Sequence, residues 1–259
     1  MIGASAAGVS AAMASRQAGF TGEIVVVGAE PHPPYERPPL SKRLVDVDDV
    51  ESALSPIIPA DQLRSNQVVL RLGLRVRAID PSAAGVLLGD GETLAADSVL
   101  LATGARPRRL NVSGRYLEGI CYLRTADDAL RLGRRLRWQA PVVVVGAGFV
   151  GLEVAAVARD LGRQVIVVEA LRQPLLGTVG PLLGSVFAAV HREQGVHLSL
   201  AIPPPGCASS KRNNALYQGA AVGRTIAARP STDDSVPYFW SDQYDVKLQM
   251  FGRPVVDQP

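Results

Sequence analysis

Cysteine, lysine and long apolar runs are scarce in this sequence, and each scarcity excludes a class of protein. The only cysteines, Cys121 and Cys207, stand far apart and form no C-x-x-C spacing. This usage predicts a reduced, cytoplasmic protein and argues against a redox-active disulfide. No apolar run reaches about 18 residues, so no membrane-spanning helix is expected. The first residues contain no basic stretch ahead of an apolar one and do not read as a secretory signal.

Lysine is nearly absent from the basic residues, since Lys42, Lys211 and Lys247 are the only lysines among 27 basic side chains. The formal net charge is only +3 over 259 residues, and aromatic residues make up 5% of the chain. Arginines scattered without a basic stripe or an aromatic platform predict a solvated surface and no nucleic-acid partner. The hydrophobic content of 47% is enough for one large core or two modest ones.

A complete dinucleotide fingerprint stands in the second half of the chain. Four valines at 142–145 predict a strand, and Gly146, Gly148 and Gly151 follow in a G-x-G-x-x-G spacing that opens a helix. These glycines allow the tight turn, the approach of phosphate and the packing of helix on strand, respectively. Glu169 ends the next strand, where its carboxylate can accept hydrogen bonds from both ribose hydroxyls. The same carboxylate would repel the extra phosphate of NADP, so the pattern favours NADH.

A second, weaker fingerprint begins almost at the first residue. Gly3, Ser5 and Gly8 occupy the three glycine positions, and Glu30 ends the strand that follows the first helix. Serine in the middle position is small enough to be tolerated, at some cost to the approach of the backbone to phosphate. The alternative reading is that the two glycines only allow a helix to pack closely on a strand.

The rest of the sequence predicts α/β structure that stops at a proline run. We expect a buried strand at 98–102, closed by Thr103 and Gly104, because this stretch is apolar and ends in a turn. Regular patterning ends abruptly at 203–206, and 214–228 is weakly helical. The other predicted elements are helices at 9–17, 60–63, 125–137, 149–161 and 181–193, strands at 23–27, 68–72, 74–79 and 196–200, and a hairpin at 85–94.

Residues 34–42, which read P-Y-E-R-P-P-L-S-K, and the A-T-G turn at 102–104 carry a family resemblance. With the two glycine fingerprints, they resemble the FAD-dependent ferredoxin reductases that serve oxygenases and cytochrome P450 systems. Apoptosis-inducing factor and the rubredoxin reductases belong to the same wider group. The resemblance covers about residues 2–202, then resumes near Asn214 and runs to about Gly252.

The resemblance implies an α/β fold with two Rossmann-like units, one for FAD and one for NAD, followed by an α+β interface piece. The expected divisions are a first part of the FAD domain at 1–110 and half of an NAD domain at 111–202. A return segment to the FAD domain is expected at 203–235, and a shortened interface domain at 236–259. Both nucleotide units are expected to be incomplete.

The same resemblance assigns roles to individual residues. Lys42 would lie near the reactive flavin ring and Glu153 close to the nicotinamide, so these two are the expected catalytic residues. A solvated loop remains the alternative for Arg37 and Lys42, and a merely structural partner remains the alternative for Glu153. The residues expected to bind FAD are Gly3, Ser5, Gly8, Glu30, Arg37, Lys42, Val76, Thr103, Gly104 and Arg124, and those expected to bind NADH are Gly146, Gly148, Gly151 and Glu169. No metal site is expected.

Three departures from the family pattern bear on activity. The first strand survives only as Met1 and Ile2, and losing about four or five buried apolar side chains there would cost about 6–15 kcal/mol. This loss is comparable with the whole stability of a typical domain. The true start would then lie upstream, or the FAD half would be badly weakened. The segment after the third NAD strand is largely absent, with Arg212 where the family often has tryptophan. The interface domain opens at Val236 and is cut short after Gly252. Within it, Trp240 and Asp242 would start the first strand, where a core aromatic and a turn acid are at least as good an interpretation as a flavin contact.

Three functions therefore remain open from the sequence. The first is an oxidoreductase that passes electrons from NADH through FAD to an iron–sulfur ferredoxin or to a rubredoxin. The second is a nucleotide-binding remnant without turnover, and the third is a related FAD/NADH reductase with another acceptor. A thioredoxin- or glutathione-reductase role is disfavoured, because the chain has no redox cysteine pair.

Overall fold

The computed structural model describes residues 1–43, 54–82, 84–202, 224, 226–227 and 238–251. The described residues form two compact units. The first draws on Met1–Glu36, Leu54–Arg106 and Asn213–Ser235, and the second on Arg37–Ala53, Pro107–Arg212 and Val236–Pro259. Within each unit, short parallel strands alternate with helices, which confirms the predicted α/β class. None of the described helices is long and apolar enough to cross a membrane.

Seven named elements build the described part of the first unit. Helix α1 precedes a parallel pair of strands, β1 and β2, with the short helix α2 between them. Strands β3, β4 and β5 form a separate antiparallel meander. Within it, β4 and β5 correspond to the hairpin predicted at 85–94. The bounds are α1 Ala6–Gln17, β1 Ile24–Val27, α2 Ala60–Ser65, β2 Val68–Arg71, β3 Val76–Asp80, β4 Gly85–Leu88 and β5 Thr93–Ala95.

The first residues of the chain occupy a central place in the parallel sheet. Ile2 forms parallel bridges to Val27 on one side and to Leu101 on the other. The Ile2 amide donates to the Leu100 carbonyl at 2.8 Å, and the Gly3 amide donates to the Val27 carbonyl at 2.8 Å. This short stretch leads directly into the first glycine turn.

The prediction of a buried strand at 98–102 is wrong. The described contact of this stretch with the sheet is a single bridge to Ile2, and the side chains of Val99 and Leu101 are 36% and 63% exposed. The reason is geometric, since a three-residue partner offers too few backbone groups for a ladder. An apolar sequence therefore lies at the sheet edge, and none of the described residues covers Val99 or Leu101.

The core of the first unit lies between α1, β1 and the short helix α2. Val9 and Met13 of α1 pack against Ile24 and Val26 of β1, and Leu63 of α2 closes the cluster. This packing fixes the N-terminus of α1 at the end of the short stretch that contains Ile2. It thereby positions the first glycine turn.

The second unit contains the predicted βαβαβ arrangement. Strands β6, β7 and β8 are parallel and lie in sequence order, and the intervening helices α4 and α5 connect them. Helix α3 precedes this sheet, and an antiparallel hairpin of β9 and β10 follows it in the chain. The bounds are a 3-10 helix at Pro38–Ser41, α3 Ala126–Leu136, β6 Val142–Val145, α4 Phe149–Asp160, β7 Val165–Val168, α5 Leu176–Glu193, β8 His197–Ser199, β9 Tyr238–Gln243 and β10 Val246–Phe251.

The β6–β7 sheet is buried on one face only. Val144 and Val167 are 9% and 0% exposed, whereas Val143, Val145 and Ile166 on the opposite face are 60%, 54% and 37% exposed. Parallel strands in doubly wound folds are normally covered on both faces. Among the described residues, nothing buries this second face.

Helix α5 is longer than predicted because it contains a break. Gly180 has a φ of 81°, outside the helical range, and Pro181 follows it. Proline is favoured at the first position of a helix, so the predicted start at 181 matches the second segment of α5. The predicted helix at 214–228 and the tail at 253–259 fall largely or wholly outside the described residues.

Candidate functional site

The first glycine turn is closed by two tight backbone approaches. Gly3 has a φ of 120°, and a Cβ atom there would lie 2.1 Å from the Ala102 carbonyl oxygen. A Cβ on Gly8 would lie 2.0 Å from the carbonyl oxygen of Gly3. Ser5 is the N-cap of α1, and its side chain makes no capping hydrogen bond. The turn therefore requires glycine at both ends and tolerates serine in the middle, as the sequence pattern has it.

The second glycine turn repeats this construction. Gly146 has a φ of 102°, and a Cβ on Gly151 would lie 2.0 Å from the Gly146 carbonyl oxygen. Gly148 is the N-cap of α4, and a Cβ there would meet no atom within 4 Å. The backbone beside Gly148 is thus open to a close approach from outside. This geometry is what a bound diphosphate requires.

The helix dipoles at the two turns favour an anion. Neither α1 nor α4 has an acidic residue in its first turn, whereas α3 carries Asp127 and Asp128 there. The first amides of a helix have no partner within it, and its dipole favours negative charge at that end. Both turns therefore fit the diphosphate of a dinucleotide, which the open approach at Gly148 also supports.

Glu169 lies beside the second glycine turn. Its Oε2 accepts a hydrogen bond from the Ala147 amide at 2.6 Å, and its Oε1 accepts one from the Leu171 amide at 2.9 Å. Each carboxylate oxygen has a further lone pair with which it can accept another hydrogen bond. The backbone therefore fixes the orientation of this carboxylate beside the second glycine turn, and its predicted contact with a ribose stays a prediction.

Glu30 is held by the tyrosine of the P-Y-E-R-P-P-L-S-K stretch. The Tyr35 hydroxyl donates to Glu30 Oε2 at 2.5 Å, and Tyr35 is only 5% exposed. The Gly73 amide donates to the Glu30 carbonyl at 2.9 Å. The tyrosine thus has a role that the sequence did not assign, because it fixes the predicted ribose-binding carboxylate.

The remaining residues predicted to bind FAD in the first unit fall in two places. The Thr103 amide nitrogen lies 3.2 Å from the position of a Cβ on Gly3, and Gly104 follows with a φ of 70°. Thr103 and Gly104 are therefore next to the first glycine turn. Val76 instead begins β3 and pairs with Leu88 in the meander. Its predicted contact with adenine stays a prediction.

Arg37 and Arg124 are brought together in the second unit. The Arg37 guanidinium donates to the Arg124 carbonyl at 2.6 Å. Arg124 directly precedes Thr125, whose hydroxyl accepts from the Asp128 amide at 3.1 Å while the Asp128 carboxylate accepts from the Thr125 amide. This capping box fixes the start of α3 and with it the backbone that Arg37 contacts.

Lys42 and Glu153 form an ion pair. Lys42 Nζ lies 2.9 Å from Glu153 Oε1, and the two side chains are 18% and 5% exposed. The Ser241 hydroxyl donates to the same oxygen at 2.5 Å, and the Ser41 hydroxyl donates to Oε2. A buried carboxylate needs such donors and a counter-charge to offset the loss of water. The structure thus joins the two predicted catalytic residues.

Sequence reasoning missed the polar residues that extend from this pair. Behind Ser241, Gln243 and His191 continue a chain of hydrogen bonds into the interior. Burial lowers the pKa of the His191 imidazole, although its hydrogen bond with Gln243 acts in the opposite direction. Tyr244 lies beyond His191, and burial raises the pKa of its phenol to about 12. The sequence did contain one signal of these partners. A glutamate within the apolar sequence F-V-G-L-E-V-A-A is expected to be buried, and a buried carboxylate needs polar partners.

The fold and these sites define an α/β protein with two dinucleotide-type glycine turns, one in each unit. The family profile described as pyridine nucleotide-disulphide oxidoreductase matches residues 1–204. The chain belongs to this family. Its members use FAD and NAD(P)H.

Two relatives illustrate the similarity to known proteins. Rhodocoxin reductase from Rhodococcus erythropolis is 32% identical, over 97% of this chain and 77% of the relative. That alignment spans 330 positions, more than the 259 residues of the chain, so parts of the relative have no counterpart here. A rubredoxin-NAD(+) reductase from Pseudomonas putida is 40% identical over 200 residues, which cover 77% of this chain and 52% of the relative.

Solved structures agree with the family. A ferredoxin reductase from Rhodopseudomonas palustris matches with a TM-score of 0.88 at 27% identity, over 97% of this chain and 81% of the other. Putidaredoxin reductase in its covalent complex with putidaredoxin matches with a TM-score of 0.85 at 26% identity, over 97% of this chain and 80% of the other. The predicted family is therefore confirmed.

Proposed function

We propose that the protein is a flavoprotein oxidoreductase that passes electrons from NADH through FAD to a ferredoxin-type iron–sulfur protein. The observation that carries this proposal is the repeated glycine turn. In each unit, a glycine in the helix packs against the backbone of the positive-φ glycine that begins the turn. A Cβ atom on the helical glycine would lie 2.0 Å from the carbonyl oxygen of that first glycine. Two such turns in one chain provide for two dinucleotides. Electron transfer between them is the simplest use of such a pair.

The FAD side of the proposal rests on the first glycine turn. The ADP half would lie on the first glycine turn, with Glu30 on its ribose. Within the first unit, the expected contacts with FAD are Gly3, Ser5, Gly8, Glu30, Val76, Thr103 and Gly104. The FAD contacts that the resemblance assigns to Arg37, Lys42 and Arg124 stay predictions. Arginine at Arg37 and Arg124 suits phosphate, because a guanidinium offers several donors in a plane.

NADH would bind at the second glycine turn. Gly146, Gly148 and Gly151 would receive the diphosphate, and Glu169 would accept hydrogen bonds from the ribose. A 2′-phosphate placed against Glu169 would be repelled by the carboxylate, which the Ala147 and Leu171 amides hold in place. We therefore propose NADH as the donor in preference to NADPH.

The chain's own residues bind, orient and set charge, since FAD supplies the hydride and single-electron chemistry when it is bound. Lys42 would provide positive charge near the flavin ring, which favours its reduced form. Glu153 would keep that ammonium in place through the ion pair at 2.9 Å. No general base or nucleophile is needed, which agrees with the absence of a C-x-x-C pair from the sequence.

The proposed acceptor follows from the relatives. Their names include reductases of rhodocoxin, rubredoxin and dioxygenase ferredoxins. An arginine-rich surface would favour docking of an acidic partner through electrostatic steering. A rubredoxin or another small electron carrier is the alternative acceptor.

A second function is favoured by a specific observation. Val143, Val145 and Ile166 leave one face of the β6–β7 sheet exposed, and the alignment with rhodocoxin reductase shows that parts of the relative are missing here. A chain with an incomplete NAD unit would bind the ADP part of NADH without turning it over. This alternative is a nucleotide-binding remnant of the same family.

The visible spectrum of the purified chain separates the two functions. The reductase should be yellow after loading with FAD and should bleach when NADH is added without oxygen. It should then reduce added ferredoxin or rubredoxin. A colourless protein that binds NADH would overturn the reductase and support the remnant. A protein that binds neither nucleotide would overturn both.

A further inference from the structure

A row of buried polar side chains lies behind Glu153 in the second unit. Ser241, Gln243 and His191 are 0%, 1% and 0% exposed, which is rare for such residues unless each has a partner. They come from β9 and α5, whereas Glu153 belongs to α4. We call Ser241, Gln243 and His191 the polar relay.

The polar relay is continuous. The Ser241 hydroxyl donates to Glu153 Oε1 at 2.5 Å, and Gln243 Nε2 donates to Ser241 Oγ at 3.1 Å. His191 Nε2 lies 2.8 Å from Gln243 Oε1. On its far side, His191 Nδ1 lies 3.4 Å from the Tyr244 hydroxyl, a weak contact. Each side chain therefore touches the next, from the half-buried tyrosine to the carboxylate.

The carboxylate fixes the direction of every bond in the relay. A carboxylate only accepts, so the single Ser241 proton must point to Glu153, and the Ser241 oxygen must then accept from the amide of Gln243. The Gln243 carbonyl oxygen consequently faces His191 and requires a proton on Nε2. Neutral His191 with its proton on Nε2 satisfies this arrangement, and Nδ1 remains an acceptor for Tyr244. All donors point toward Glu153, which is the order in which hydrogen bonds reinforce one another.

Strand alternation explains how β9 supplies this row. Phe239, Ser241 and Gln243 are two residues apart and therefore share one face of the strand. The Phe239 ring packs on Phe149 of α4, with a centroid distance of 4.4 Å. This face of β9 therefore carries first the Phe239 ring, which packs on α4, and then the polar side chains of Ser241 and Gln243. This packing places Ser241 opposite Glu153.

We propose that Ser241, Gln243 and His191 are positioning residues that hold Glu153 in its pairing with Lys42. Without Ser241, one oxygen of Glu153 would keep the lysine as its only described partner, and the carboxylate could turn away from it. The consequence for electron transfer rests on the proposed function, in which Lys42 lies near the flavin. The β9 strand would then complete a site whose other residues come from elements far earlier in the chain.

Competitive labelling of lysine amines tests this proposal directly. The chain has only three lysines, and Lys247 is a built-in reference because its pair with Asp242 is loose, at 4.0 Å and 60% exposed. Trace acetylation of the full chain, read by mass spectrometry, gives the reactivity of Lys42 relative to Lys247. We expect Ser241→Ala to raise this ratio about fivefold, the factor for about 1 kcal/mol of one lost hydrogen bond. The matched control, Ser185→Ala on the exposed face of α5, should leave the ratio unchanged.

His191→Leu separates positioning from mere packing, because His191 touches neither Lys42 nor Glu153 in the described contacts. If the polar relay holds Glu153 in place, His191→Leu also raises the reactivity of Lys42 relative to Lys247. His191→Gln keeps a donor near the position of Nε2, so it should return this ratio most of the way to the wild-type value. His197→Leu, at an exposed histidine of β8, is the control. A His191→Leu protein that melts earlier but keeps the wild-type ratio would overturn the proposal.

Nitrogen NMR of the wild-type chain, labelled at histidine, tests the proposal even if His191→Leu does not fold. The relay requires His191 to carry its proton on Nε2 at about pH 7. A proton on Nδ1 would contradict the donor order and overturn the proposal. Both experiments use the chain without nucleotides, so they can fail while FAD and NADH binding succeeds, or succeed while binding fails.

Discussion

Lys42 and Glu153 stand 111 residues apart in the sequence and form an ion pair with an Nζ–Oε1 distance of 2.9 Å. Lys42 ends the P-Y-E-R-P-P-L-S-K stretch, and Glu153 lies in the helix that the second glycine turn opens. The pair therefore connects the stretch that the resemblance assigns to FAD with the helix that it assigns to NADH. Its burial makes it sensitive to the loss of either partner.

Glu153→Gln should lower the free energy of unfolding by about 1–3 kcal/mol, because it removes a charged acceptor from two hydroxyls and an ammonium. Urea unfolding followed by circular dichroism measures this change. Lys247→Met, at the loose and exposed pair with Asp242, should change stability by less than about 0.5 kcal/mol. Equal stability of Glu153→Gln and the wild type would show that the pair is not held in the folded chain.

Glycine substitutions should separate folding from nucleotide binding. Gly151→Ala should destabilise the chain by about 1–3 kcal/mol, since its methyl group would overlap the Gly146 carbonyl. Gly148→Ala should change stability by less than about 1 kcal/mol, because a Cβ there meets no protein atom. It should nevertheless weaken NADH binding, since the methyl group would stand where the diphosphate approaches. Calorimetry with NADH and thermal melting together give both quantities.

Gly177→Ala is the control for the two glycine variants, because its Cβ would make only an ordinary contact at 3.9 Å with Leu171. It should alter neither stability nor NADH affinity appreciably. Unchanged NADH affinity in Gly148→Ala would place the nucleotide elsewhere on the protein.

Glu169→Ala should reduce NADH affinity by about tenfold to a hundredfold, the range for losing hydrogen bonds between a charged group and a ribose. It should reduce NADPH affinity less or raise it, because the repelling charge is removed. Titration of both nucleotides into the same variant measures the ratio. Glu193→Ala, at an exposed acid near the end of α5, should leave the ratio at the wild-type value. Parallel losses for both nucleotides would argue against a ribose contact.

The buried His191 should make the chain less stable in mild acid. Because burial lowers the pKa of the folded imidazole, the unfolded chain takes up a proton first as the pH falls below about 6.5. The free energy of unfolding should therefore fall through this range until the folded pKa is reached. His191→Gln should lessen the fall between about pH 7.5 and 5.5, and the exposed His197→Gln should not. Identical pH profiles for His191→Gln and the wild type would contradict this assignment.

Local patterns in the sequence predicted the elements that depend on neighbouring residues. The four valines before Gly146 form β6, the glycine spacing forms the turn, and Thr125 with Asp128 forms a capping box at the predicted start of α3. These features need only a few adjacent residues to determine them. The error at 98–102 has a different origin, because burial of a strand depends on what covers it and not on its own apolar sequence.

The partners of Glu153 could not be predicted from local patterns. Ser241 lies 88 residues away from it, and His191 and Gln243 lie 52 residues apart. Nothing in the spacing of these residues specifies that β9 lies against α4 and α5. Only the three-dimensional fold brings Ser241 and Gln243, two members of one strand face, to a carboxylate and an imidazole on different helices. The sequence assigned Trp240 and Asp242 to this strand but gave no role to the serine between them.

The half-covered sheet of β6 and β7 has a practical consequence for anyone who handles this protein. Val143, Val145 and Ile166 present a branched, water-facing apolar patch, and a net charge of +3 provides little mutual repulsion between molecules. Concentrated solutions should therefore turn cloudy most readily in high concentrations of sulfate, which strengthens the association of such surfaces.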